Sequence, residues 1–274
     1  MSTSVAFEKA RADQRAALVG YLPAGFPDAA GSVEAIKVMV DHGCDVIEIG
    51  LPYSDPVMDG PTIQAAAQRA LEHGTRTTDV IRTVEAVAAL GVPTLVMTYW
   101  NPVEQYGRSE GDSGHHSGVE RFAADLAAAG GAGLITPDLT PESAGRWIAA
   151  ADEHDLDKVF LVAPSSTDER LASTTAECRG FVYATAVMGV TGARTTSSDL
   201  AGPLVARTRA VTDLPIGVGL GVGTGAQAAE VAAYADAVIV GSAFVRALLD
   251  HEGVEAHRRL AALTEDLAEG VRAR

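Results

Sequence analysis

The chain has 274 residues, of which 47% are hydrophobic, and a formal net charge of −15. That apolar share is enough to fill one large α/β core. The acidic balance argues against nucleic acid or an anionic membrane surface as partner, because both require clustered Lys and Arg.

The opening segment, "MSTSVAFEKARADQRAALV", has no apolar core of signal-peptide length. No later stretch approaches the roughly 18 apolar residues of a membrane helix. A soluble, cytoplasmic protein is expected. Cys44 and Cys178 lie outside any CxxC or Cys/His cluster, so both are read as small buried thiols in a reducing compartment.

Eight short runs rich in β-branched residues follow in order: "ALVGYLPAG", "DVIEIGLP", "PTLVMTYWN", "GLITPD", "KVFLVAP", "GFVYATAV", "PIGVGLGVG" and "DAVIVGSAF". Between them lie Ala-rich stretches of helical period, among them "GSVEAIKVMVDHG", "TTDVIRTVEAVAALG", "GVERFAADLAAAG" and "TGAQAAEVAAYA". The tail "EAHRRLAALTEDLAEGVRA" reads as a last helix. Alternating strands and helices imply βαβ units and a parallel sheet. Eight repeats in about 250 residues predict an α/β fold of the (β/α)₈ TIM-barrel type, with an open doubly wound sheet as the alternative. One barrel domain is expected over residues 1–274. The segment "GPTIQAAAQRALEHG" adds a helix after the second strand. The polar insertion at 108–118, "RSEGDSGHHSG", reads as a mobile surface loop after the third.

In such barrels the chemistry lies at the carboxyl ends of the strands. In the second run, period-two alternation puts Ile47 and Ile49 on one face and Val46 with Glu48 on the other, toward the barrel interior. A carboxylate there must be paired, hydrated or protonated. Glu48 is therefore a candidate general acid/base, against the alternative of a Glu satisfied by a neighbouring Arg or by backbone amides. By position alone the loop acids Asp55 and Asp59 are weaker candidates, since loop aspartates often only stabilise turns.

Glycine-rich turns follow the seventh run ("GVGLGVGTG") and the eighth ("VGSAF"), and each opens a helix. Two such turns side by side offer backbone N–H groups to an anion, which predicts a phosphate site. Lys9, Lys37 and Lys158 all lie outside both turns, so amides and hydroxyls such as Ser242 would hold the phosphate. The stretch "MGVTGART" after the sixth run, with Thr191 and Gly192, has the length of a lid. Neither a Schiff-base lysine nor a His/carboxylate metal cluster is placed at the strand ends. His115 and His116 fall in the polar loop, so no metal is expected. Acid/base chemistry by carboxylates and tyrosines on a phosphorylated substrate remains.

These segments resemble the tryptophan synthase α subunit family along nearly the whole chain. The resemblance is carried by "YLPAGFPD", "IEIGLPYSDPVMDGPTIQ", "MTYWNPVEQYG", "GFVYATAVMGVTGAR" and "GVGLGVGTGAQ…VIVGSAFV", in that order. It implies a lyase that splits indole-3-glycerol phosphate into indole and glyceraldehyde 3-phosphate. The resemblance makes Glu48 the acid/base and places Asp59 on the indole N–H, with Tyr183 beside Glu48. Tyr21 and Tyr99 flank the indole. Gly192, Gly219, Gly221, Gly241 and Ser242 hold the phosphate, and Thr191 on the lid positions Asp59. The resemblance further implies no cofactor in this chain and a pyridoxal-phosphate β subunit as partner in an α2β2 complex. The partner surface would include the loop after the second strand and the region after the third. Indole-glycerol-phosphate synthase, or a non-catalytic subunit that only activates β, are the competing readings. Met58 departs from the small residue usual before Asp59, and the 108–118 insertion lies near the implied partner surface.

Overall fold

The computed structural model describes residues 1–107, 118–185, 200–219 and 221–273. Among them run α1 (Ser4–Ala12), β1 (Ala17–Pro23), α2 (Ala29–Asp41), β2 (Val46–Gly50), α3 (Pro61–Glu72), α4 (Thr77–Ala88), β3 (Thr94–Met97), α5 (Trp100–Glu104), α6 (Gly118–Ala128) and β4 (Gly133–Ile135). After a 3₁₀ turn at Pro141–Ser143 come α7 (Gly145–Glu153), β5 (Asp157–Val159), β6 (Leu161–Val162), α8 (Asp168–Glu177), β7 (Val182–Thr185), α9 (Ala201–Arg209) and β8 (Ile216–Gly219). The chain continues through α10 (Gly225–Ala232), β9 (Ala237–Val240), α11 (Ser242–Leu249) and α12 (Gly253–Gly270).

All strand pairings are parallel, in the order β5-β4-β3-β2-β1-β9-β8-β7-β6. The fifth predicted run is divided at Phe160. Its first half, β5, pairs with β4, and its second half, β6, pairs with β7. The Phe160 and Lys158 carbonyls accept the N–H groups of Tyr183 and Arg179, at 3.2 and 2.9 Å. One strand thus meets both ends of the sheet and curls it into a barrel, which accounts for nine strands where eight runs are read from the sequence.

Alternation along the strands makes two cores. Val19, Val46, Leu95, Ile135, Val159 and Ile239 fill the barrel, while Leu18, Ile47, Ile49 and Val96 face the helices. Helix starts follow local chemistry. Asp28 and Thr167 accept from the N–H groups of Gly31 and Arg170, at 2.8 and 3.2 Å, to begin α2 and α8. Pro61 at the first position opens α3 after Gly60.

Two helices escape the sequence pattern. Helix α1 closes the amino end of the barrel, with Phe7 against Phe181 at a centroid distance of 5.2 Å. Its buried residues are only Ala6, Phe7 and Ala10, too few for a clear stripe. Asp157, fully buried on β5, accepts from Thr3 N and Thr3 Oγ1, both at 2.7 Å, and so fixes the entry to α1. Helix α5 starts at Trp100, inside the third predicted run, because Asp138 accepts its N–H at 2.9 Å. The predicted insertion needs its end moved: Gly118 is buried and opens α6, where a Cβ would come within 2.1 Å of the Glu104 carbonyl. The rest of that insertion, 108–117 with His115 and His116, lies outside the described residues.

Candidate active site

Glu48 stands in the middle of β2, and the face predicted for it is the one observed. Val46 is in the barrel core and Ile47 and Ile49 are in the outer one. The side chain is 1% exposed, and Oε1 has no hydrogen-bond partner among the described residues. Among the described residues neither an Arg nor a backbone amide satisfies that oxygen. Burial pushes the carboxyl up from its ordinary value of 4.5 to about 8. At neutral pH Glu48 is an uncharged acid facing the barrel interior.

This predicts a pH signature in stability. The folded protein keeps the Glu48 proton up to about pH 8, whereas the unfolded chain releases it near 4.5. Between those values the folded state binds more protons, so stability from this group is full below 4.5 and is lost as pH rises through 8. Glu48→Gln removes that slope. Denaturant unfolding near pH 8 is expected to find the variant more stable than wild type, on the order of a few kcal/mol. Parallel stability curves for the two proteins across this range would contradict a buried, proton-holding Glu48.

Tyrosines and glycines surround this carboxyl. Tyr21 pairs with Glu48 in the β1–β2 register. A Cβ on Gly50 would lie 2.2 Å from the Tyr21 hydroxyl, so only glycine leaves that hydroxyl its place at the end of β2. Tyr183, on β7, repeats the arrangement above β8, where a Cβ on Gly219 would lie 2.7 Å from its hydroxyl. Burial first, and then the nearby Glu48, holds the Tyr183 phenol well above its ordinary pKa. Burial, then Asp59 and Glu48, does the same for Tyr21. Both phenols stay protonated and can donate hydrogen bonds.

The loop after β2 brings in Asp59. The Tyr99 hydroxyl accepts the Met58 N–H at 2.9 Å, and the Tyr99 ring packs on Tyr53 with centroids 5.1 Å apart. Gln64 of α3 donates to the Asp59 carbonyl at 2.7 Å. The loop is thus tied to β3 and α3, with the half-buried Asp59 carboxyl raised by burial and pulled back toward the charged form by Tyr99. Met58 makes its bond through the main chain, so the side chain at that position does not decide it. Asp55 is exposed and accepts from Ser54 Oγ at 2.5 Å, a local loop contact. Asp138, at the end of the fourth predicted run, is used to start α5.

The two glycine turns differ. At α10 three of the N–H groups already have side-chain partners. Gln227 accepts from Gly223 at 2.8 Å, Asp266 from Gly225 at 2.6 Å and Thr224 from Gln227 at 3.3 Å. At α11 the cap is Gly241, with no side-chain acceptor, and Ser242 is buried at the first position. Among the described residues the start of α11 is therefore more open to an anion than the start of α10. Gly221, at φ 68°, keeps a backbone conformation that favours glycine. Thr191 and Gly192 lie outside the described residues.

Lys158 is buried against Asp152 at 2.5 Å, away from the carboxyl ends of the strands. No cluster of three or more metal-ligating side chains occurs among the described residues. A separate cleft of about 570 Å³, lined by Gly25, Asp28, His73, Thr75, Asp79 and Arg82, offers no unsatisfied acid. Asp28 there caps α2, and Asp79 takes the Arg76 N–H and the Arg82 guanidinium. Both cysteines are free, Cys44 buried and Cys178 half-buried. No helix among the described residues is long and apolar enough to cross a membrane.

A parallel barrel with a buried acid, a tyrosine pair and an open helix N-terminus has the make-up of a (β/α)₈ enzyme. Comparison with known proteins narrows the class. The family model described as "Tryptophan synthase alpha chain" matches residues 7–272. The tryptophan synthase alpha chain of Salinispora arenicola is 61% identical over 269 residues, covering 98% of this chain and 97% of that one. That of Nocardia farcinica is 59% identical over 266 residues, covering 97% and 94%. The solved structure of Mycobacterium tuberculosis tryptophan synthase superposes with a TM-score of 0.89 at 55% identity, covering 98% of each chain. The chain belongs to the tryptophan synthase alpha chain family.

Proposed function

We propose that this chain is a carbon–carbon lyase that splits indole-3-glycerol phosphate into indole and glyceraldehyde 3-phosphate, with Glu48 carrying the proton. The observation that supports it most is the Glu48 carboxyl: interior, protonated and, among the described residues, lacking a partner for Oε1. In this reading Glu48 first gives its proton to indole C3. The positive charge that develops on the ring reaches the nitrogen, where Asp59 accepts the N–H hydrogen bond and stabilises it. The Glu48 carboxylate then takes the proton of the hydroxyl on the carbon attached to C3. That carbon becomes the aldehyde, and the electrons of the broken C–C bond restore the indole. Glu48 ends with a proton, so the cycle balances.

Tyr183 lines the site beside Glu48, and Tyr21 and Tyr99 flank the ring. The phosphate rests on Gly241 and Ser242 at the open start of α11, with Gly219, Gly221 and Gly192 completing its cradle and Thr191 steadying Asp59. The protonated ring is itself the electron sink, so the scheme needs no cofactor in this chain. Membership of the family supports a β subunit as partner, with pyridoxal phosphate held there and an α2β2 assembly in the cytoplasm. The rim loop with exposed Val57, 70% accessible, and the segment after β3 are the surfaces we assign to it.

The test is release of indole from indole-3-glycerol phosphate by the purified chain, with and without a cognate β subunit. Measurable release by the chain alone, faster with β, is the expected result. No release in either case would favour a subunit that only activates β.

A further inference from the structure

Tyr21 lies between the Glu48 strand and the start of α11. Its ring is bracketed by glycines at the ends of both strands that flank β1. On one side a Cβ at Gly50 would meet the hydroxyl at 2.2 Å. On the other a Cβ at Gly241 would meet Cδ1 at 3.4 Å. The residue thus reaches from the Glu48 strand to the open turn of α11. A ligand with its ring at Asp59 and its phosphate at Ser242 runs its three-carbon chain between these points. The neighbouring Glu48 Oε1 is buried and without a partner among the described residues, so a ligand hydroxyl brought to this place would satisfy it. A ring that served only to pack against indole would leave its own polar atom facing that hydroxyl with nothing to do.

We propose that the Tyr21 hydroxyl donates a hydrogen bond to a hydroxyl of the glycerol chain, and that it makes the site select the hydroxylated chain over a plain alkyl one. This rests on the lyase reading above. Tyr21 and Glu48 then grip the chain from adjacent strands, which holds the breaking bond in place relative to the ring. A site built to hydrogen-bond a substrate hydroxyl discriminates through that bond, whereas ring packing is blind to it.

Tyr21→Phe removes the hydroxyl and keeps the ring. Two probes separate the roles: indole-3-glycerol phosphate as substrate, and 3-(indol-3-yl)propyl phosphate, which has no chain hydroxyls, as competitive inhibitor. The expected result is a fall of about tenfold in kcat/KM for the substrate, with the inhibition constant of the alkyl probe within about twofold of wild type. An equal loss on both probes, in a variant whose melting matches wild type, would overturn the inference and leave Tyr21 as packing. So would an unchanged kcat/KM. Wild type run alongside distinguishes the two claims. If wild type releases no indole with or without a cognate β subunit, the lyase reading itself fails. If it turns over beside an unaffected Tyr21→Phe, only this inference fails.

Discussion

Glu48→Gln is expected to lower kcat for indole release by about three orders of magnitude, while binding of glyceraldehyde 3-phosphate stays measurable. The reason lies in the site. The carboxyl is 1% exposed and protonated at neutral pH, and a glutamine amide has nearly its shape without a transferable proton. The proposed phosphate turn at Gly241 and Ser242 lies after β9 at the start of α11, so the substitution leaves it in place. Direct assay of indole and a titration of the phosphate ligand read the two halves separately. A variant with wild-type turnover would show that another group moves the proton. Loss of turnover and ligand binding together would instead indicate a collapsed site.

Asp59→Asn is expected to reduce kcat by about 10²- to 10³-fold, with a much smaller change in KM. An asparagine oxygen still accepts the indole N–H bond, so ground-state binding largely survives. In the proposed scheme the negative charge facing the protonated ring is lost, and that interaction exists mainly in the transition state. Asp59 is half-buried in a loop held by Tyr99 and Gln64, so the charge works in a partly water-excluded place. Steady-state kinetics decide the matter. A rise in KM at constant kcat would make Asp59 a binding residue only, and unchanged kinetics would remove it from the reaction.

Much of this was legible in the residues, for a definite reason. The inward direction of Glu48 follows from alternation alone, because a strand buried on both sides must point every second residue into the barrel. The eight runs and the extra helix α3 follow from β-branched clusters and helical period in the same way. What stayed hidden depends on partners distant in sequence. Asp138 starts α5 from 38 residues away, and Asp157 anchors Thr3 across 154. The two glycine turns look alike as text. They part only when Asp266, from the last helix, occupies the Gly225 N–H and leaves the α11 turn open. Gly50 reads as the end of a strand, yet its role is to admit the Tyr21 hydroxyl. The role of Asp59 came from family resemblance rather than pattern, since nothing in its spacing distinguishes it from Asp55.

The pH dependence of kcat/KM for indole release tests the central claim, that an uncharged Glu48 in the free protein begins the reaction. The carboxyl titrates at about 8, and only its protonated form can deliver a proton to C3. In a profile taken from about pH 6 to about pH 10, kcat/KM is therefore expected to be level at the acid end and to fall as pH rises through about 8. A profile that climbs through that range, or stays flat across it, would contradict a protonated Glu48 as the starting acid.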